Sequence, residues 1–353
     1  MILDFFGLRQ SKSKYKNLEK ENKLLKSKLK KLKYENKVLL SNYKNFIPKN
    51  DNQIKAYVLN DTRRNEVHLG CSKVMENLEL LCRNHNINII YYDSNYPDSC
   101  CSIENYKNII AQSDILIFNG EGTLHDDRGE LLFQKCELAK KLGKKIILLN
   151  AVWQNNSLNL KYLDLFDIIS VRESKSFEEI TKNTSKEVFI VPDMTFYGEK
   201  INNDLKKRAI IVTDSVYTHL TNKLKNFAEK NHYEMYYLTA KNENILSEEV
   251  ISNLNSESLI ITGRFHVLTM AMKYGIPCAA FPSNTHKIEG LFHDSGLPKE
   301  FLLDENLNIS SQVELLKNNK EYTDNFKVMA SKYSENAKYK IDEFFNNVER
   351  ICI

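Results

Sequence analysis

Residues 114–150 read DILIFNGEGTLHDDRGELLFQKCELAKKLGKKIILLN. Two apolar runs, 114–120 and 144–150, have strand length, and 129–142 between them has the length and apolar spacing of a helix. Strands that are apolar throughout and joined by a helix run parallel, with both faces of their sheet covered. The same rhythm extends in both directions. Strands are predicted at 55–60, 88–92, 167–172 and 187–193, with helices at 70–84, 103–112, 159–165 and 174–183. The stretch NNDLKK, 202–207, has linker composition. A second series then begins, with strands at 208–214, 234–240, 258–263 and 277–283 and helices at 218–231, 246–254, 266–275 and 286–294. Residues 310–350 read as helical and amphipathic. The expected fold class is α/β, with two Rossmann-like doubly wound domains facing each other across a cleft. Ligands are expected at the carboxyl ends of the strands.

The expected boundaries are 1–47 for an N-terminal coil, 52–202 for the first domain, 206–310 for the second, and 311–353 for a helical segment that packs back on the first domain. A chain of 353 residues exceeds what one core usually absorbs, and 42% hydrophobic residues exclude a wholly disordered chain. No run of about eighteen uncharged apolar residues is present, which excludes an ordinary membrane-spanning helix. The opening MILDFFGLRQ has no basic leader or small-residue cleavage site, so no secretory signal is expected. The seven cysteines form no CxxC pair, and the reading is thiols in a reducing cytosol with no metal site.

Net charge is +4, but residues 11–45 alone carry twelve Lys against three Glu, leaving the rest of the chain net acidic. The body is therefore not expected to bind nucleic acid. Leu18, Leu25, Leu32 and Leu39 recur every seven residues, with Asn22 and Asn36 at a positions. This is the seam of a parallel coiled coil, and a homodimer through 11–45 is expected. The tip Ile2, Leu3, Phe5, Phe6 and Leu8 beside so many lysines suits a peripheral contact with an anionic inner membrane face. A frayed tip, or one packed on its dimer mate, suits the residues equally. The expected location is cytoplasmic.

Polar residues gather at strand ends. In ITGRFHVLTMAMKYGIPCAAFPSNTHK, 261–287, Arg264 and His266 stand where a helix begins, a place that already favours anions. Arg264 offers a planar fork for carboxylate or phosphate, and His266 can donate a proton beside it. Ser283, Asn284 and Lys287 follow the next strand as further donor-binding candidates. The structural alternatives are an ion pair across the domain interface for Arg264 and a carbonyl-bonded helix start for His266. Arg172, at the end of 167–172, is a second anion-binding candidate; a salt bridge to Glu173 or Glu178 would also explain it, and Ser174 is a plausible N-cap. The loop NGEGTLHDD, 119–127, places Asn119, Glu121 and His125 at another strand end, with Glu121 as a base; a turn whose His and Asp cap the next helix fits as well. Asn65, His68 and Gln154 complete the acceptor-binding candidates, with Gly70 at the same helix start as His68. Arg63 and Arg64 read as exposed, and Asp193 as structural.

Taken together, NGEGTLH, SVRES, PDMTF and TGRFHVLTMAMKYGIPCAAFPSNTHKIEGL resemble the polysaccharide pyruvyl transferase family over about residues 55–300. The resemblance implies a GT-B-like two-domain fold. It also implies phosphoenolpyruvate as co-substrate, with no other cofactor, and a sugar or lipid-linked glycan of the cell surface (a capsule, for example) as acceptor. Arg264 and Arg172 would hold the donor's anionic groups, and His266 would be the general acid. Two segments, RRNEVHLG and NAVWQNNS, depart from the glycine-rich loops usual in the family. The alternative function is a GT-B-like glycosyltransferase using a nucleotide-activated, acidic sugar. A third is a coiled-coil scaffold with a degenerate sugar-binding body.

Overall fold

The computed structural model describes residues 53–63, 68–94, 103–204, 206–238 and 244–352. The expected coiled coil, the apolar tip and Asn65 lie outside the described residues.

Among the described residues ten strands form two sheets, every pairing parallel. The first sheet has the order β2–β1–β3–β4–β5–β6. Its strands are β1 (Ile54–Asp61), β2 (Ile87–Ser94), β3 (Ile115–Asn119), β4 (Lys145–Ala151), β5 (Ile168–Val171) and β6 (Val188–Ile190). The second has the order β10–β9–β7–β8, built from β7 (Ile210–Ser215), β8 (Glu234–Tyr236), β9 (Leu259–Gly263) and β10 (Cys278–Ala280). Central strands such as β3 and β9 are buried at every residue, as their unbroken apolar runs require. In both sheets the order reverses beside the first strand, β1 next to β3 and β7 next to β9. These are the switch points at which doubly wound sheets open a crevice.

The crossovers are α1 (Leu69–Asn84), α2 (Ile103–Ile110), α3 (Glu130–Lys141), α4 (Ser174–Thr181), α5 (Thr218–Lys230), α6 (Glu248–Ser252), α7 (Phe265–Tyr274) and α8 (Lys287–Ser295). The segment expected as a helix at 159–165 is a 3-10 turn over Ser157–Leu165, because Asn159 N–H bonds the Asn156 carbonyl and Asn159 Nδ2 also bonds the Asn156 side chain. The stretch 310–350 is two helices, α9 (Ile309–Asn318) and α10 (Lys320–Cys352). Asn319 is extended between them and its Oδ1 accepts from Tyr322 N–H, capping the second helix.

Helix α10, about 50 Å long at the α-helical rise, touches both halves. Phe326 packs on Phe301 near the second sheet, while Phe344 meets Phe189 edge-on and Phe345 lies against His85 at the first sheet. One buried cluster runs from β1, β3 and β4 through Met194 and Phe196 into α7 and α10, so the apolar core is continuous between the halves. A second cluster, around Phe118, Phe133, Trp153 and Phe166, closes the other face of the first sheet. Among the described residues, no helix is long and apolar enough to cross a membrane.

Candidate functional site

The carboxyl ends of β3, β5, β7, β9 and β10 converge between the two sheets. Strand β9 ends in Gly263 and delivers Arg264, extended at φ −121° and ψ 124°, as the N-cap of α7. Thr262 Oγ1 accepts from Arg264 N–H at 2.9 Å and so fixes the turn. The Arg264 side chain lies on Asp214 at the end of β7, through Nη2 and through Nε at 3.1 Å. The ion pair expected as the alternative therefore exists, but within the second sheet rather than across the interface. One edge of the guanidinium is already committed to Asp214.

His266, the second residue of α7, points across to the first sheet. Its Nε2 is 3.6 Å from Glu121 Oε1 and 3.7 Å from Asp193 Oδ2. Neither separation is a hydrogen bond, and Nε2 is sealed from solvent without a partner among the described residues. The sequence suggests only a structural role for Asp193. It does cap its turn, with Oδ1 accepting from Thr195 N–H at 2.9 Å, but Oδ2 faces the imidazole and accepts from Arg172 Nη1 at 2.6 Å. Burial opposes ionisation of Asp193, yet Arg172 and His266 outweigh it and hold the carboxyl well below its usual range.

Arg172 leaves the end of β5, 2% exposed, with its guanidinium carbon 4.6 Å above the Phe265 ring. Its ion-pair partner is Asp193, not Glu173 or Glu178. Glu173 is instead the N-cap of α4, and Ser174, expected in that role, bonds Asp294 of α8 with its Oγ at 2.5 Å. The Arg172 Nε is buried and makes no hydrogen bond among the described residues. A Cβ on Gly122 would sit 3.9 Å from Arg172 Nη2 and 3.7 Å from Lys287 Nζ, so the two cations come together over that glycine. Lys287 is 8% exposed and has no carboxylate partner among the described residues; its Nζ donates to Asn284 Oδ1 at 2.8 Å. Burial pushes its ammonium down to about 7, Arg172 and Arg264 pushing the same way and Glu121 opposing.

The loop after β3 supplies the other wall. Asn119 is fully buried, its Nδ2 donating to the Asn60 carbonyl and its Oδ1 unpartnered. Glu121 is 4% exposed and holds φ at +39°, with Asn60 at +69° and Asn150 at +55° nearby on the ends of β1 and β4. Backbone strain of this kind collects at functional sites. Cys71 Sγ donates to Glu121 Oε1 at 3.3 Å. His68 caps α1, its Nδ1 accepting from Cys71 N–H, and its ring stands edge-on to His266 with centroids 6.1 Å apart. One donor atom each from His68, Cys71 and His266 lie within 4.8 Å of one another.

The remaining candidates tie the halves together. His125 does not cap α3, whose N-cap is Gly129; its Nδ1 pairs with Asp126 at 2.8 Å and its Nε2 lies 3.4 Å from Asn284 Nδ2. Gln154 Oε1 accepts from His286 N–H at 2.7 Å, which ties part of its hydrogen-bonding capacity to the second half. Ser283 accepts from the Tyr217 hydroxyl through its carbonyl. Arg63, expected to be exposed, is half-buried between Asp61 and Glu79. Missed from sequence were Asp214, Cys71 and the Glu173–His286 contact at 3.1 Å, which joins α4 to the α8 turn. Asp214 had a legible signal, being a carboxylate at a strand end like Asp193; Cys71 and Glu173 had none.

The family model for polysaccharide pyruvyl transferases matches residues 79–285. No curated protein matches the chain. Among solved structures, a protein assigned as a UDP-N-acetylglucosamine 2-epimerase from Listeria monocytogenes is 14% identical, with a TM-score of 0.55 over 84% of this chain and 96% of that one. A functionally uncharacterised protein from Klebsiella pneumoniae is 20% identical over 76% and 95%, with a TM-score of 0.44. The UDP-GlcNAc 2-epimerase from Neisseria meningitidis bound to UDP-GlcNAc is 10% identical over 84% and 100%, with a TM-score of 0.49. The Listeria likeness is one of fold, and it is the GT-B-type arrangement of two parallel sheets.

Proposed function

The chain belongs to the polysaccharide pyruvyl transferase family, and we propose from that premise that it moves a pyruvyl group from phosphoenolpyruvate onto two hydroxyls of a surface-glycan sugar, as a ketal. The observation that carries this reading is the meeting of Arg172 and Lys287 over Gly122, beside the inward-facing imidazole of His266. Two buried cations held together raise each other's energy; Asp193 pairs with Arg172, while Glu121 offsets the Lys287 charge only in part. A small dianion with carboxylate and phosphate ends would offset both.

His266 Nε2–H protonates the methylene carbon of the enolpyruvate, which becomes the methyl group. The adjacent carbon takes on cationic character and a sugar hydroxyl adds to it, its proton passing to Glu121, 3.6 Å from Nε2 and able to reprotonate the imidazole. The bond from that carbon to the phosphate oxygen then breaks, and the second hydroxyl closes the ring. Of the two hydroxyl protons, one balances the proton spent on the methyl group and the other leaves with phosphate. Arg172, Lys287 and the free edge of Arg264 act most strongly as charge collects on the departing phosphate.

Titration calorimetry with phosphoenolpyruvate beside a panel of nucleotide sugars tests the reading. Binding of phosphoenolpyruvate, with transfer to a glycan acceptor detected by mass, supports it. Binding of a nucleotide sugar alone transfers the same cations to a glycosyltransferase.

A further inference from the structure

We propose that the cleft also holds a zinc-type divalent ion, bound by His68 and Cys71 from the start of α1, His266 from the start of α7, and the Glu121 carboxylate. Zinc bonds of about 2.0–2.3 Å in a tetrahedron put ligand atoms roughly 3.3–3.8 Å apart. Two edges of that tetrahedron already stand: Cys71 Sγ to Glu121 Oε1 is 3.3 Å, and Glu121 Oε1 to His266 Nε2 is 3.6 Å. The three nitrogen and sulfur donors lie within 4.8 Å of one another, so shifts of about an ångström complete the set. The buried Nε2 of His266, which makes no hydrogen bond among the described residues, is aimed into this group. His68 Nδ1 accepts from Cys71 N–H, and that bond opens when the ring binds the ion, because the ligating nitrogen needs its lone pair free and the ring proton must sit on the other nitrogen.

Charge and softness agree. A Cys71 thiolate and the Glu121 carboxylate neutralise a divalent ion, while Asp193 remains engaged by Arg172 and Arg264 by Asp214. Thiolate with imidazole selects zinc over calcium or magnesium. As the metal–sulfur bond forms, the thiol proton leaves to solvent. His68 and Cys71 are half-buried, so the ion has a way in. Because α1 belongs to the first half and α7 to the second, the ion clasps them together. It also occupies Nε2, so zinc and the proton donation proposed above exclude each other; this consequence, unlike the binding itself, rests on that reading.

Cobalt(II) titration of the full-length, reduced, chelator-treated protein tests the site. One equivalent should give tetrahedral visible bands and a sulfur-to-cobalt charge-transfer band, and Cys71→Ser should abolish the latter. Zinc affinity should fall by more than the about 10–100-fold that losing an outer-shell partner costs. Absence of the bands, or their persistence in Cys71→Ser, overturns the proposal. Should that variant misfold, the wild type still decides. Zinc should protect Cys71 from iodoacetamide, scored by peptide mass, and equal alkylation with and without zinc overturns the site. Zinc should also slow pyruvyl transfer in the wild type. Cobalt bands without such slowing leave the site standing and overturn only the role of His266 as acid.

Discussion

Gly70 and His266 meet with no space between them: a Cβ on Gly70 would fall 2.1 Å from the imidazole Nδ1. Helix α1 of the first half thereby sets how deep the imidazole of the second half sits. Gly70→Ala must displace the His266 ring from its present place opposite Glu121 and Asp193. A displacement near 1 Å costs about 100-fold in turnover. Steady-state kinetics should show kcat falling on that scale with donor affinity changed only a few-fold.

Removing the imidazole itself should cost more selectively. His266→Gln should lower kcat by about 10²–10⁴-fold, the usual worth of a general acid. Phosphoenolpyruvate binding by calorimetry should stay within a few-fold, because the anion rests on Arg172 and Lys287. Unchanged turnover would remove His266 from the chemistry.

Lys287 makes donor binding proton-linked. In the free protein its ammonium loses its proton at about 7, far below the ordinary 10.5, through burial and the neighbouring arginines. A bound dianion favours the charged form and raises that value. Between the two values binding takes up a proton, so affinity should weaken as pH rises above about 7 and level off below it. Calorimetry in buffers of different ionisation heat measures the uptake directly, and Lys287→Met should abolish it.

The Glu173–His286 contact joins the two halves beside the site at 3.1 Å. The Glu173 carboxyl is lowered despite its burial, because His286 and Ser176 hold its charged form. A lowered carboxyl stabilises the fold above its unfolded value, and that stabilisation is lost as pH falls through the folded value. Glu173→Gln should cost about 1.5–3 kcal/mol near neutral pH, the worth of a hydrogen bond to a charged group. Its deficit against the wild type should narrow in acid, read from denaturant unfolding at several pH values.

Residues 1–45 carry the heptad leucines. If they pair two chains as expected, the full chain should sediment as a dimer and a chain lacking them as a monomer; a dimer that survives their removal would place the interface in the body instead.

The sequence by itself determined the two parallel sheets. Apolar runs such as 145–151 and 259–263 can be buried on both faces only in that architecture, and every strand and crossover derives from such local periodicity. It also placed His266, Arg172 and Lys287 at element ends, since strand length dictates where a run must stop. Which of these meet was decided by tertiary structure alone. Arg264 found Asp214, Arg172 found Asp193, and Cys71 came beside Glu121 and His266, although spacing along the chain argued against any metal site. The break at Asn319 and the latch through Glu173 are of the same kind. The physical reason is that hydrophobic periodicity acts within one element, whereas contacts across a cleft depend on how two sheets are held by a shared core and by a glycine that lets two helices touch.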